Sequence, residues 1–178
     1  MAGARILMGA PKSGSGKTFL TCALLQACLN RGKTVRSYKC GPDYIDPMFH
    51  RSVLGIRSGN LDSYFSSEEE IWSGVARETR QQDITVIEGV MGYYDGLGGN
   101  TTSASAYDIA RITRTPSVLV IDGKGMSLSM GALIRGFREF RADSQIKAVI
   151  ANRTGAGMAG RLKEIAEDAG CIFLGCFP

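Results

Sequence analysis

Residues Gly9 to Thr18 read G-A-P-K-S-G-S-G-K-T, between the apolar run Ile6-Leu7-Met8 and a long apolar segment that opens at Phe19. A strand, a glycine-rich turn and a helix in that order form a cradle for phosphate. The glycines let backbone N–H groups turn inward around anionic oxygens, and the helix N-terminus adds the positive end of its dipole. Lys12, Ser13, Gly14, Ser15, Gly16, Lys17 and Thr18 are therefore the candidate ATP-binding residues. Lys17 would reach the β- and γ-phosphates, and Thr18 would offer its hydroxyl to Mg²⁺, which takes hard oxygen ligands. The strict spacing G-x-x-x-x-G-K-T is missed by one residue, because Pro11 stands where the first glycine would be.

Further charged residues suit the same chemistry. Lys39 lies at the end of the second predicted strand and leads into Cys40-Gly41-Pro42-Asp43-Tyr44-Ile45-Asp46-Pro47. The lysine can neutralise phosphate oxygens, and Asp43 or Asp46 can hold Mg²⁺ directly or through water. The same aspartates can equally cap Pro47 and a short helix after it, and spacing leaves both readings open. Glu88 ends Ile84-Thr85-Val86-Ile87, the Walker-B position for a second metal ligand. Asp122 ends Val118-Leu119-Val120-Ile121 in the same way and competes for that role. The loop after Glu88 carries Tyr93, Tyr94 and Asp95 among glycines, which suits either a segment closing over a flat organic substrate or a solvated surface loop. His50, the only histidine, has no partner at metal spacing and is read as structural or surface. Trp72 and the methionines are read as core filler.

These groups need a scaffold that brings strand ends together. Short buried strands are predicted at Arg5–Gly9, Thr34–Lys39, Ile84–Glu88, Ser117–Asp122, Ile146–Ala151 and Cys171–Leu174. Helices are predicted at Lys17–Asn30, Ser67–Arg80, Ser103–Arg114, Ser127–Phe140 and Met158–Ala169. The first is apolar nearly all round and is expected to be buried against the sheet. The alternation specifies a three-layer α/β P-loop NTPase fold, with a mostly parallel sheet covered by helices on both faces. Two irregular stretches, Cys40–Tyr64 and Gly89–Thr102, follow strands at their carboxyl ends, where ligands bind in such sheets.

The 178 residues are expected to form one domain, 1–178. A net charge of +4, spread along the chain, favours an anionic small ligand over nucleic acid. Five cysteines without a C-x-x-C pair read as reduced thiols in a cytoplasmic protein. The sequons at Asn100 and Asn152 read as chance matches, and no apolar run approaches the ~20 residues that span a bilayer.

Taken together, Lys39-Cys-Gly-Pro-Asp-Tyr-Ile-Asp-Pro-Met-Phe-His50, Asn60-Leu-Asp-Ser-Tyr-Phe65, Val86-Ile-Glu-Gly-Val-Met-Gly-Tyr-Tyr-Asp-Gly96 and Val118-Leu-Val-Ile-Asp122 resemble the N-terminal ATP-binding domain of the cobyrinic acid a,c-diamide synthase family. The resemblance implies a dethiobiotin synthetase-like fold. It also implies amidation of corrin acetate carboxylates in cobalamin biosynthesis, with ATP, Mg²⁺ and glutamine-derived ammonia. On these residues it implies catalytic roles for Lys17, Lys39, Asp43, Asp46, Glu88 and Asp95, and metal ligation by Thr18, Asp43 and Glu88. Tyr44, Asp46, Tyr94 and Asp95 would meet the substrate, and Asn152 resembles an asparagine that reads the adenine edge. Enzymes of this kind carry a C-terminal glutaminase domain, and no glutamine hydrolysis is expected of these residues. Nickel-sirohydrochlorin a,c-diamide synthase and dethiobiotin synthetase share much of the pattern. Lys12, in K-x-G-x-G-K-T, also resembles the signature lysine of partition-type ATPases, which would imply a nucleotide-bridged homodimer.

Overall fold

The computed structural model describes residues 3–178. Seven parallel strands form one sheet: β1 (Ala4–Gly9), β2 (Val35–Cys40), β3 (Arg57–Leu61), β4 (Ile84–Glu88), β5 (Ser117–Asp122), β6 (Ile146–Asn152) and β7 (Ile172–Phe177), in the order β3-β2-β4-β1-β5-β6-β7. The helices are α1 (Lys17–Asn30), α2 (Ile45–Ser52), α3 (Glu68–Thr79), α4 (Ala106–Thr113), α5 (Ser129–Glu139) and α6 (Ala159–Asp168). The central strands are buried on both faces, which is why β4 and β5 read as continuous apolar runs. On one face Leu20 and Leu25 of α1 pack on Met8, Val35, Val86 and Val118. The other face holds a larger cluster, in which Val75, Ile109, Ile134 and Leu162 of α3 to α6 pack on Leu7, Ile87, Leu119 and Val149.

All the expected strands and helices are present, with ends shifted by a few residues. Two elements lie inside the stretch expected to be irregular. Strand β3, Arg-Ser-Gly-Asn-Leu, has no β-branched residue and pairs only with β2 at the sheet edge, so its extended form comes from that partner. Helix α2 carries Pro47 in its first turn, where the missing N–H costs nothing. Helix α1 is less buried than its composition implies. It lies on one face only, so Phe19 is half exposed and rests its edge on Phe177, 5.1 Å between centroids.

Candidate active site

The glycine-rich loop closes at the start of α1, with Lys17 and Thr18 as the first helical residues. Gly16 takes φ 97°, which β-carbons disfavour, and a Cβ there would strike the Asn152 side-chain amide. Asn152 Nδ2 donates to Ser15 O (2.9 Å), and Arg153 Nη2 donates to Gly14 O (2.5 Å), so the end of β6 fixes the loop from one side. Among the described residues, no backbone N–H from 12 to 16 has a hydrogen-bond partner within the chain. With the dipole of α1 behind them, these donors form an anion cradle. Lys17 Nζ donates to Met91 O (2.5 Å) and Lys12 O (3.3 Å). Burial, then the charge on Lys39, lowers the pKa of its ammonium, a cost that phosphate oxygens would relieve.

Beside the cradle, register decides the arrangement. Lys39 and Glu88 are direct partners on β2 and β4, and Met8 of β1 is the partner of Glu88 on its other side. Lys39 Nζ lies 2.8 Å from Glu88 Oε1, 2.5 Å from Asp46 Oδ2 and 3.8 Å from Asp43 Oδ2. Burial alone would lower the pKa of Lys39, but Glu88 and Asp46 outweigh it, so the pKa is raised and the ammonium stays protonated. Glu88 is fully buried, and burial raises its pKa against the opposing pull of Lys39 and Thr18.

Thr18 Oγ1 donates to Glu88 Oε1 (2.6 Å), while Glu88 Oε2 is buried without any partner. A buried carboxylate oxygen calls for a partner, and beside the phosphate cradle a ligand can supply it. The donor set suits Mg²⁺: a hydroxyl and a carboxylate supply hard oxygens, and phosphate oxygens would supply more. No three His, Cys, Asp or Glu side chains gather into a metal nest among the described residues, so an ion here would depend on the nucleotide.

The stretch from β2 to β3 holds this centre in place. Asp43 Oδ1 accepts from Ile45 N (2.9 Å) in a turn that leads into the short helix, while Asp46, in the helix's first turn, reaches Lys39. Asn60 Nδ2 donates to Gly41 O and Asp43 O (2.8 and 2.7 Å), tying the loop to β3. His50, one turn after Asp46, is fully buried; Nδ1 lies 3.1 Å from Ser37 Oγ and Nε2 lies 3.7 Å from Cys22 Sγ. Burial lowers the His50 pKa and raises that of Cys22, the reverse of an activated Cys–His pair. Asn60, His50 and Met91 all lie in the motifs that carry the family resemblance, but what each of them touches, like the contact of Arg153 with the loop, depends on a distant partner and has no local signal.

Asp122, the rival of Glu88, is not at this centre. Its carboxylate pairs with Arg153 (3.2 Å) on the other side of the loop. Asp95 Oδ2 accepts from Gly92 N (3.0 Å) and braces the β4–α4 loop, and Tyr44 is exposed at the start of α2. Tyr94 is not brought to the charged cluster: its hydroxyl donates to Phe137 O (2.5 Å) and its ring packs with Tyr107, Phe137 and Phe140 against α5. Lys12 and Ser13 are exposed on the outer turn of the loop. Trp72, expected in the core, is partly exposed beneath the guanidinium of Arg5.

Fold and cradle together define a P-loop nucleotide-binding α/β domain. Residues 6–175 match the family described as the CobQ/CobB/MinD/ParA nucleotide binding domain, and the chain belongs to that family. It is 43% identical over 150 residues to a cobyrinate a,c-diamide synthase of Listeria innocua, a match covering 84% of this chain and 33% of that protein. The same-named protein of Gloeobacter violaceus is 43% identical over 171 residues, covering 96% and 38%, and that of Thermoplasma volcanium 42% over 164 residues, covering 92% and 36%. The chain thus spans about a third of the length of these relatives. Among solved structures, the 54 kDa signal recognition particle protein of Aeropyrum pernix, in complex with GDP, superposes with a TM-score of 0.67 at 20% identity, covering 99% of this chain and 42% of that one. The hydrogenase maturation factor HypB of Archaeoglobus fulgidus gives 0.57 at 13%, covering 98% and 81%. These two likenesses concern the fold. No helix among the described residues is long and apolar enough to cross a membrane.

Proposed function

We propose that this domain activates acetate carboxylates of cobyrinate for amidation with ATP, as the names of its relatives suggest. The observation that carries the reading is the Thr18–Glu88–Lys39–Asp46 cluster beside the phosphate cradle, in which Lys39 and Glu88 are buried and Glu88 Oε2 is unpartnered. A carboxylate is a poor electrophile, and phosphorylation gives it a leaving group. An acetate oxygen attacks the γ-phosphorus, ADP leaves, and an acyl phosphate forms. Ammonia then attacks the acyl carbon, the acyl–oxygen bond breaks, and inorganic phosphate departs carrying the amine's surplus proton, leaving the amide.

The cradle N–H groups and Lys17 would hold the triphosphate, and Lys39 would draw the substrate carboxylate to the γ-phosphate. Thr18 and Glu88, with Asp43 in reserve, would hold Mg²⁺, which supplies charge neutralisation between phosphate oxygens when bound. Asp46 orients Lys39, Asp95 shapes the loop above, and Asn152 keeps the cradle's form from the side on which a base would lie. Ammonia enters as a co-substrate, delivered by a glutaminase unit where one is attached. The test is ADP formation by this domain with Mg-ATP and ammonium, with cobyrinic acid or sirohydrochlorin. Cobyrinic acid should stimulate turnover and yield a product lighter by the mass change of amidation. ADP release that ignores both acids would sink the reading.

A further inference from the structure

Next to the charged centre lies a cleft of about 310 Å³ between the loops that follow β2, β3 and β4, lined chiefly by Pro42, Asp62, Tyr64, Phe65, Met91 and Leu97. Its lining is mostly apolar, and Tyr64, Phe65, Met91 and Leu97 remain substantially exposed. Asp62, its one acid, already accepts from Tyr64 N (2.9 Å). Gly41 and Val90 also line it, and each lies within two residues of Lys39 or Glu88. A ligand seated here would place carboxylates from its rim at the charged centre while resting an apolar face on the cleft.

One wall is held in an unusual way. Met91, with no need of glycine by type, takes φ 44°, in the left-handed region. Its carbonyl accepts the ammonium of Lys17, the group that a triphosphate requires.

We infer that this cleft seats the apolar face of the carboxylate-bearing macrocycle, and that Met91, by holding Lys17 through its carbonyl, ties the shape of the cleft to the nucleotide. The occupant rests on the functional reading above; the latch does not. Phosphate competes with the Met91 carbonyl for one ammonium. When phosphate wins, the Met91 peptide is free to leave its left-handed conformation and reset the wall it shares with Leu97. Reciprocity follows: whatever the nucleotide does to acid binding, the acid does to nucleotide binding.

The latch is tested with nucleotide alone. Met91→Gly removes the conformational penalty of the latched state and should weaken binding of a non-hydrolysable ATP analogue about five-fold. Met91→Ile adds to that penalty and should strengthen binding by a similar factor, since left-handed backbone costs an L-residue on the order of 1 kcal/mol. Calorimetric affinities that move in the same direction, or not at all, overturn the latch. The cleft is tested with cobyrinic acid, followed by its absorption spectrum, with and without the analogue and Mg²⁺. Leu97→Asp should weaken acid binding at least ten-fold and leave nucleotide affinity unchanged, whereas equal acid binding by Leu97→Asp and wild type overturns the cleft. A wild-type protein that takes no cobyrinic acid overturns the substrate reading and the occupant with it, and the Met91 arm still decides the latch.

Discussion

Glu88 and Asp122 end two very similar strands that flank β1 on either side, yet they meet different surroundings. Glu88 is fully buried, with Thr18 and Lys39 on one oxygen and nothing on the other. Asp122 keeps part of its carboxylate in solvent and pairs with Arg153, itself half exposed. The difference comes from the neighbouring strand. β4 has β2 beside it, which ends in Lys39 and leads into Asp46; β5 has β6, which ends in Asn152 and Arg153. One side of the cradle therefore gathers buried charge, and the other holds the loop.

The largest effect expected from this asymmetry is on rate. Glu88→Gln should lower ammonia-dependent amidation by about 100-fold or more while ATP still binds, because a misplaced reacting group costs rate more than affinity. Asp122→Asn should stay within about three-fold of wild type, as for a surface change. A steady-state assay in which the two variants fall together would erase the distinction.

Stability comes next. Lys39→Ala leaves Glu88 and Asp46 facing one another without their cation, which typically costs about 3–5 kcal/mol. Arg153→Ala breaks an exposed pair and should cost about 1 kcal/mol or less. Urea denaturation measures both, and comparable midpoints would mean that the Lys39 cluster is not energetically buried.

A smaller effect belongs to His50 of α2, which meets Ser37 of β2 on the Glu88 side. Burial lowers its pKa, so the unfolded chain binds the extra proton and stability falls with decreasing pH. The contribution is complete above the ordinary histidine value of about 6.5 and is lost progressively as pH drops towards the lowered native pKa. One proton limits the slope to about 1.4 kcal/mol per pH unit. His50→Gln should remove that part of the slope below the ordinary histidine value of about 6.5, and an unchanged profile would show that His50 titrates alike in both states.

The smallest effect is assigned to Lys12, exposed on the loop's outer turn. Lys12→Ala should change ATP affinity by less than about two-fold, as for a solvated charge. Light scattering with a non-hydrolysable analogue should be the same for both proteins. A dimer that depends on Lys12 would shift functional weight to the other side of the cradle.

Much of this domain could be read directly. Five of its strands carry dense runs of apolar residues, and the P-loop is marked by glycines whose backbone angles are a local property. The two elements that escaped had weak local signals: β3 is extended only because β2 is beside it, and α2 sits among glycine and prolines.

By itself the sequence determined the phosphate cradle, the alternation of strands and helices, and a short set of acids at strand ends, because these depend on neighbours along the chain. Only the tertiary structure decided that Lys39 faces Glu88 in register, that Asp122 goes to Arg153, and that Tyr94 turns towards α5. Strand order and register bring together residues such as Lys39 and Glu88, which lie 49 positions apart. No local pattern of residue types records that pairing, because it arises from how the whole sheet packs.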